Sequence, residues 1–353
     1  MIDTIDVFYY FPNRINYDTC FGGIDALARK RGQALYKRKG KKNQKNPKQR
    51  KYITKAFAAK GILQITLKKE KYRYKCIMLL KPALMIQPNT KFRLANESDY
   101  SAFRLAINEF IASVNAQCGE ALLPSIEDWH TGRIDYAVNL VTPYISEYIQ
   151  LFYAGMIPKG FGFPKHYESN FYLKSKNGNI NFYDKLHQVR QKYGLSDAEI
   201  ENEFHDLPSG MLRLEYQCSN KYIQHLKEHY RLDDTTLPYL WNATIAENEL
   251  KSRVKSIIGE NDFYSCGFCE QKLEQRYKAT TLGLYRQIFH KFRDSPYASL
   301  DDVEGALSLT SKKRFQNLLH KIRKVGVNPI PLDVCNNCSV TELPNPCRLI
   351  QCA

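Results

Sequence analysis

The chain has 353 residues, 43% of them hydrophobic and 25% charged, with 52 Lys and Arg against 36 Asp and Glu and a formal net charge of +16. Such a composition excludes a disordered or fibrous chain, leaves apolar residue enough for two domains or one with a long extension, and points to an acidic partner, nucleic acid being the usual one and an anionic membrane surface its competitor. No apolar run approaches the roughly 18 residues of a spanning helix, and the opening MIDTIDVFYYFPNR carries acids where a secretion signal needs bases; the expectation is a soluble, cytoplasmic protein without a membrane partner.

An opening strand over Asp6–Phe11 leads into RKRGQALYKRKGKKNQKNPKQRK, a stretch without an acid and too polar to pack. It reads as a basic loop over residues 29–55. Lys37, Arg38, Lys39, Lys41, Lys42 and Lys45 would track DNA phosphates, with a solubilising linker as the plainer alternative. KGILQITLKK and KYRYKCIMLL, separated by little more than Glu70, form a β-hairpin that ends at Lys81-Pro82. A helix over Glu97–Cys118 follows, with Phe103, Leu105, Phe110, Ile111 and Val114 at helical spacing. Next come the strand SIEDWHTGRIDYAVNL and the helix TPYISEYIQLFYAG, with Thr142 as N-cap and Pro143 at the first helical position.

SNFYLKSKNGNINFYDKL is a second hairpin, in which Asn177-Gly178 suits a type I′ turn. A polar helix near Ser196–Phe204, the strand GMLRLEYQ and a helix from Ser219 complete this part. From Asn242 onward the pattern is helical, through ATIAENELKSRVKSII, TLGLYRQIFHKF, SLDDVEGALSLT and SKKRFQNLLHKIRKV. The expected fold is α+β: an antiparallel sheet with flanking helices over residues 1–230, then a smaller helical, Cys-containing domain over 231–353 for DNA binding or an accessory role. The Lys/Arg face of SKKRFQNLLHKIRK suits a groove or phosphates, although a basic helix is more often a solvated face.

Three strands share one feature. Arg133 and Asp135, Tyr183 and Lys185, and Arg213 and Glu215 each sit two residues apart, so each pair projects from one face of its strand. On neighbouring strands these pairs would gather two carboxylates, a tyrosine, a lysine and two arginines, a face expensive to bury unless it is paired or bound to something. Two carboxylates with room for water suit Mg²⁺ or Mn²⁺, the tyrosine could act as a nucleophile, and Lys185, Arg133 and Arg213 could balance phosphate charge. The plainer reading is a sheet face of surface ion pairs.

The order RIDYAVNL, NFYDK, LRLEYQ, together with MIDTIDVFYYFP and YRYKCIMLLKPALMI, resembles the replication initiators of filamentous phages, the gene II/X type. It also resembles the trans-acting initiators of rolling-circle plasmids, the Rep_trans family. The resemblance covers roughly residues 1 to 230 and implies a relaxase-like nicking domain there. The implied enzyme is a metal-dependent DNA endonuclease and strand-transferase that nicks a single-stranded or supercoiled origin. It leaves a 5′-phosphotyrosyl link and a 3′-OH for polymerase, with a host helicase and polymerase as partners. Carried over, Tyr183 is the nucleophile with Lys185 beside it, and Asp135 and Glu215 are the metal ligands. Asp184 is a further candidate ligand, although strand alternation points it away from Tyr183. No His-x-His pair is present, His130 and His187 stand alone, and Tyr172 is a candidate assistant in strand closure.

Ten cysteines in a chain with no secretion signal suggest reduced thiols with metal ligands among them. CGFC and CNNC have zinc-ligand spacing, so a structural Zn²⁺ on Cys266, Cys269, Cys335 and Cys338 is one expectation; a site using Cys335, Cys338, Cys347 and Cys352 is the other. Two other function classes stay open: a non-catalytic DNA-binding replication or copy-number regulator, and a zinc-stabilised RNA-binding protein that stacks bases on Tyr and Phe.

Overall fold

The computed structural model describes the chain except residues 38–49, 89–91, 163–167, 195, 197–198, 200–209, 296–297, 308–311, 336–338 and 353, and except the side chains of 193, 280 and 281. The fold is α+β, with a large antiparallel sheet and a helical C-terminal part. It divides into two compact units that interleave along the sequence: Met1–Ala137 with Gln217–Ala246 and Cys352–Ala353, and Val138–Tyr216 with Glu247–Gln351. The expected break near residue 230 is thus replaced. The boundary falls inside the two strands that carry RID and RLE, because each of them contributes residues to both units.

The first unit begins with β1 (Ile2–Phe11), four residues earlier than expected, because Ile2 exchanges backbone hydrogen bonds with Ala95. It continues through α1 (Arg14–Arg29), β2 (Tyr36–Lys37), β3 (Arg50–Thr54), β4 (Ile62–Lys69), β5 (Tyr74–Leu80), α2 (Pro82–Ile86), α3 (Tyr100–Cys118) and the strand β6 (His130–Val141) as far as Ala137. These strands run antiparallel in the order β2-β3-β4-β5-β1-β6. Alternation then sorts the faces. Ile5 and Val7 on β1, cross-strand from Leu80 and Met78 on β5, are fully buried, as are Ile65 and Leu67 on β4.

α1 starts at Asn13, whose side chain accepts the Asn16 N–H at 2.9 Å, and buries Tyr17, Cys20 and Ile24. Its Gly23 permits close packing on α3, since a Cβ there would sit 2.4 Å from Cys118 Sγ. On α3 the buried stripe is Phe103, Ile107, Ile111 and Val114. Leu105, expected on that stripe, is exposed because two positions turn it to the opposite side of the helix. Phe110 packs edge-on against Phe57 at 4.9 Å. The helices Asn220–Tyr230 and Leu237–Leu240 belong to this unit; Trp241 stacks on Phe103 at 4.9 Å.

The second unit contains α4 (Ile145–Tyr153), β7 (Asn170–Lys174), β8 (Gly178–Asp184), α5 (Lys185–Tyr193) and the strand β9 (Met211–Ser219) as far as Tyr216, with strand order β9-β8-β7. Thr142 is not the N-cap of α4. Its Oγ accepts the Tyr144 N–H at 3.2 Å in a local turn and its own N–H donates to Gly210 O, so the helix starts only at Ile145. The β7–β8 turn is also one residue earlier than expected: Ser175 pairs with Gly178 around Lys176-Asn177. Among the described residues Asn177 is not at positive φ, so the turn is not type I′; the Ser175 hydroxyl instead accepts the Asn177 and Gly178 N–H groups. α4 lies on this hairpin through Phe152, 4.6 Å from Phe182. The polar helix expected over Ser196–Phe204 falls largely outside the described residues. The helices Ala243–Ile258, Ala279–Asp294, Leu300–Ala306 and Lys312–Lys324 follow the sequence pattern closely, and Cys266–Glu274 is a helix that the pattern did not announce.

Candidate functional site

In the second unit β8 carries Tyr183 to the point where strand becomes helix. Tyr183 pairs with Asn170 across β7 and is 4% exposed, and its hydroxyl donates to Glu215 Oε2 at 3.2 Å. Glu215 is equally buried on β9. Taking a carboxylate out of water is costly without compensating hydrogen bonds, and the Tyr183 phenol is one of them.

Lys185 is not on the strand. β8 ends at Asp184, which is extended (φ −65°, ψ 111°) and caps α5, its carboxylate accepting the His187 N–H at 3.0 Å; Lys185 is the first helical residue. The Tyr183-x-Lys185 spacing therefore works through a strand-to-helix junction rather than through alternation. Lys185 is buried, donates to Gln188 Oε1 at 2.7 Å and has its ammonium 5.4 Å from the Tyr183 ring centroid. Asp184 has a local structural task at the N-terminus of α5, where its charge favours the helix dipole.

Arg213, fully buried on β9, donates from Nε to Asn139 Oδ1 at 2.8 Å. Asn139 was not singled out in the sequence, although it continues the period-two row Arg133, Asp135, Ala137 of the same strand. Tyr172, opposite Asn181 on the hairpin, is half-buried.

In the first unit β6 carries Arg133 and Asp135. Asp135 is 1% exposed, accepts from Arg133 Nη2 at 2.8 Å and is also hydrogen-bonded by the Thr4 hydroxyl; Arg133 reaches Thr4 Oγ at 3.1 Å. Asp6, opposite Arg133 in register, joins this group. Burial pushes its carboxyl above the ordinary 3.8, and the charges of Arg133 and Lys75 pull it part of the way back. Thr4 and Asp6 were legible as an alternating row in TIDVFYYF, but only the pairing of β1 with β6 gives that row a partner.

Of the basic loop, Lys37 is exposed on β2, and Arg38, Lys39, Lys41, Lys42 and Lys45 lie outside the described residues. Cys338 also lies outside them. Cys266 and Cys269 sit in the first turn of Cys266–Glu274, with the Cys266 N–H on Asp333 Oδ2 at 2.6 Å. Burial, with Asp333 and Glu270 nearby, raises the Cys269 thiol to about 12. The Sγ atoms of Cys269, Cys335 and Cys347 donate to three different carbonyls, Tyr264, Glu147 and Lys251. Among the described residues no group of three or more His, Cys, Asp and Glu side chains is arranged to hold a metal ion. Among them, too, no helix is long and apolar enough to cross a membrane.

No family model matches the chain, no curated protein matches its sequence, and no solved structure matches its fold.

Proposed function

We propose that the protein is a tyrosine-nucleophile DNA nicking and joining enzyme that initiates rolling-circle replication. The observation that carries the reading is Tyr183, buried at a strand end, hydrogen-bonded to Glu215 and followed by Lys185 at the start of α5. Tyr183 Oη would attack the phosphorus of one phosphodiester, passing its proton to a carboxylate oxygen of Glu215 or to water. The P–O3′ bond would break, the leaving oxygen would take up a proton, and a 5′-phosphotyrosyl link and a free 3′-OH would remain. The Lys185 ammonium would stabilise the negative charge that grows on the phosphoryl oxygens.

Asp135 in the first unit and Glu215 in the second are each a buried carboxylate, a hard oxygen donor of the kind that binds Mg²⁺ or Mn²⁺ alongside water and a substrate phosphate. Such an ion, when bound, supplies charge neutralisation at the phosphoryl group. Arg133 orients Asp135, and Arg213 with Asn139 braces the strand that carries Glu215. The DNA partner, the host helicase and polymerase, and a structural Zn²⁺ on the cysteine pairs belong to the same proposal.

The low exposure of Tyr183 also favours a second reading, a DNA-binding replication or copy-number regulator in which the tyrosine only satisfies Glu215. One experiment separates them. The protein is incubated with Mn²⁺ and single-stranded oligonucleotides spanning its own replicon, and the products are run on a denaturing protein gel. The nicking reading expects a shifted, nuclease-sensitive band that disappears in EDTA and in Tyr183→Phe. Tight DNA binding with no band from any oligonucleotide leaves the regulator.

A further inference from the structure

The first unit has a second feature, built from different residues. Phe8 and Tyr10 alternate onto the face of β1 that carries Asp6, opposite Ile77 and Lys75 of β5, while His130 at the start of β6 pairs with Phe8. The three rings form one continuous patch: centroids are 5.4 Å apart for Phe8 and Tyr10, 5.2 Å for Phe8 and His130, and 6.4 Å for Tyr10 and His130. Tyr10 and His130 are exposed, Tyr10 to 38%. Gly132 leaves room for the Phe8 ring at its edge, since a Cβ there would press on Phe8 Cδ1 at 3.2 Å.

Cations surround the rings. Lys75 Nζ lies 3.2 Å from the Phe8 centroid and 5.1 Å from that of Tyr10, and Arg73 Cζ lies 5.8 Å from Tyr10. The neighbouring acids are answered locally: Glu70 is ion-paired with Lys68, and Asp6 faces Arg133 as well as Lys75. A core-building role does not explain exposed rings, and a purely solvated face does not explain why cations converge on them.

We infer that this face is a stacking platform for single-stranded DNA, on which bases lie against Tyr10 and His130 while Lys75 and Arg73 meet the phosphates. The ligand class follows from the interleaving of π-faces and positive charge, and the choice of DNA over RNA rests on the function proposed above. The platform itself requires no cleavage chemistry.

The test uses the full chain in EDTA, so that nicking plays no part, with a mixed-sequence single-stranded oligonucleotide bearing one 2-aminopurine. Binding is followed by anisotropy and stacking by quenching of the 2-aminopurine. Tyr10→Ala is expected to weaken binding about tenfold and to reduce the quenching, Tyr10→Phe to preserve both, and His130→Ala to act like Tyr10→Ala more weakly. Lys75→Gln should lower the slope of log K against log salt by about one. Circular dichroism and thermal melting establish that each variant is folded. Binding and quenching unchanged in folded Tyr10→Ala and His130→Ala would overturn the platform even if Tyr183 adducts form. Tighter binding of RNA than of DNA of the same sequence would overturn the choice of DNA. The expected losses in a protein that never forms an adduct would leave the platform standing and remove the nicking reading alone.

Discussion

Replacing Tyr183 by Phe removes one oxygen and keeps the ring. That oxygen is the donor to Glu215 Oε2, and both side chains are only 4% exposed, so water replaces the lost donor poorly. Hydrogen bonds to charged groups contribute about 1.5–3 kcal/mol net, and a separation of 3.2 Å places this one at the weaker end, about 1.5 kcal/mol. Tyr183→Phe is therefore expected to destabilise the chain by about 1.5 kcal/mol, a cost that falls on the carboxylate left behind. Glu215→Gln keeps an acceptor oxygen in nearly the same shape, so the Tyr183 hydroxyl retains a partner and the variant should lose less. In the double variant no buried charge awaits the missing phenol, and its cost should fall short of the sum of the single ones by about 1 kcal/mol. Melting curves of the four proteins at pH 7, with the coupling taken from the cycle, provide the measurement. Strict additivity, within about 0.5 kcal/mol, would refute the claim that the phenol and carboxylate satisfy one another.

Three further outcomes follow from the geometry. Because the Asp6 carboxyl is raised by burial, the native state holds its proton more tightly than the unfolded chain. The stability this gives is complete below pH 3.8 and lost as pH rises through the raised value, so Asp6→Asn should stabilise the protein at pH 7 and have no such effect in acid, checked by melts across pH 3 to 8. Gly23→Ala places a methyl 2.4 Å from Cys118 Sγ and should cost about 1–3 kcal/mol, most of it recovered in Gly23→Ala/Cys118→Ala by denaturant melts. Asp184→Ala should cost about 1 kcal/mol through the lost cap of α5, while Asp184→Ser, which caps as well, should restore stability; a failure of Ser to restore it would show that the charge is needed for more than the cap.

Much of the secondary structure was legible in the sequence, because apolar periodicity records which face of each element is buried. TLGLYRQIFHKF, SKKRFQNLLHKIRKV and the alternating strands RIDYAVNL and LRLEYQ appear where those patterns put them. The α+β class, the basic charge and the chemistry-bearing pairs Arg133/Asp135 and Arg213/Glu215 follow from residue type and spacing alone. The junctions between elements were not legible. Thr142 looked like a cap, but its hydroxyl accepts the Tyr144 N–H in a turn that precedes the helix, and Tyr183 and Lys185 looked like strand neighbours until Asp184 turned the chain into a helix. Nor does spacing reveal that Thr4 binds Asp135, that Asn139 serves Arg213, or that Phe8, Tyr10 and His130 share one face. Those facts belong to strand register and to the choice of neighbour. The sequence specifies which faces want burial; only folding decides which strands lie side by side, because pairing energy is spread over many backbone hydrogen bonds that every residue can make.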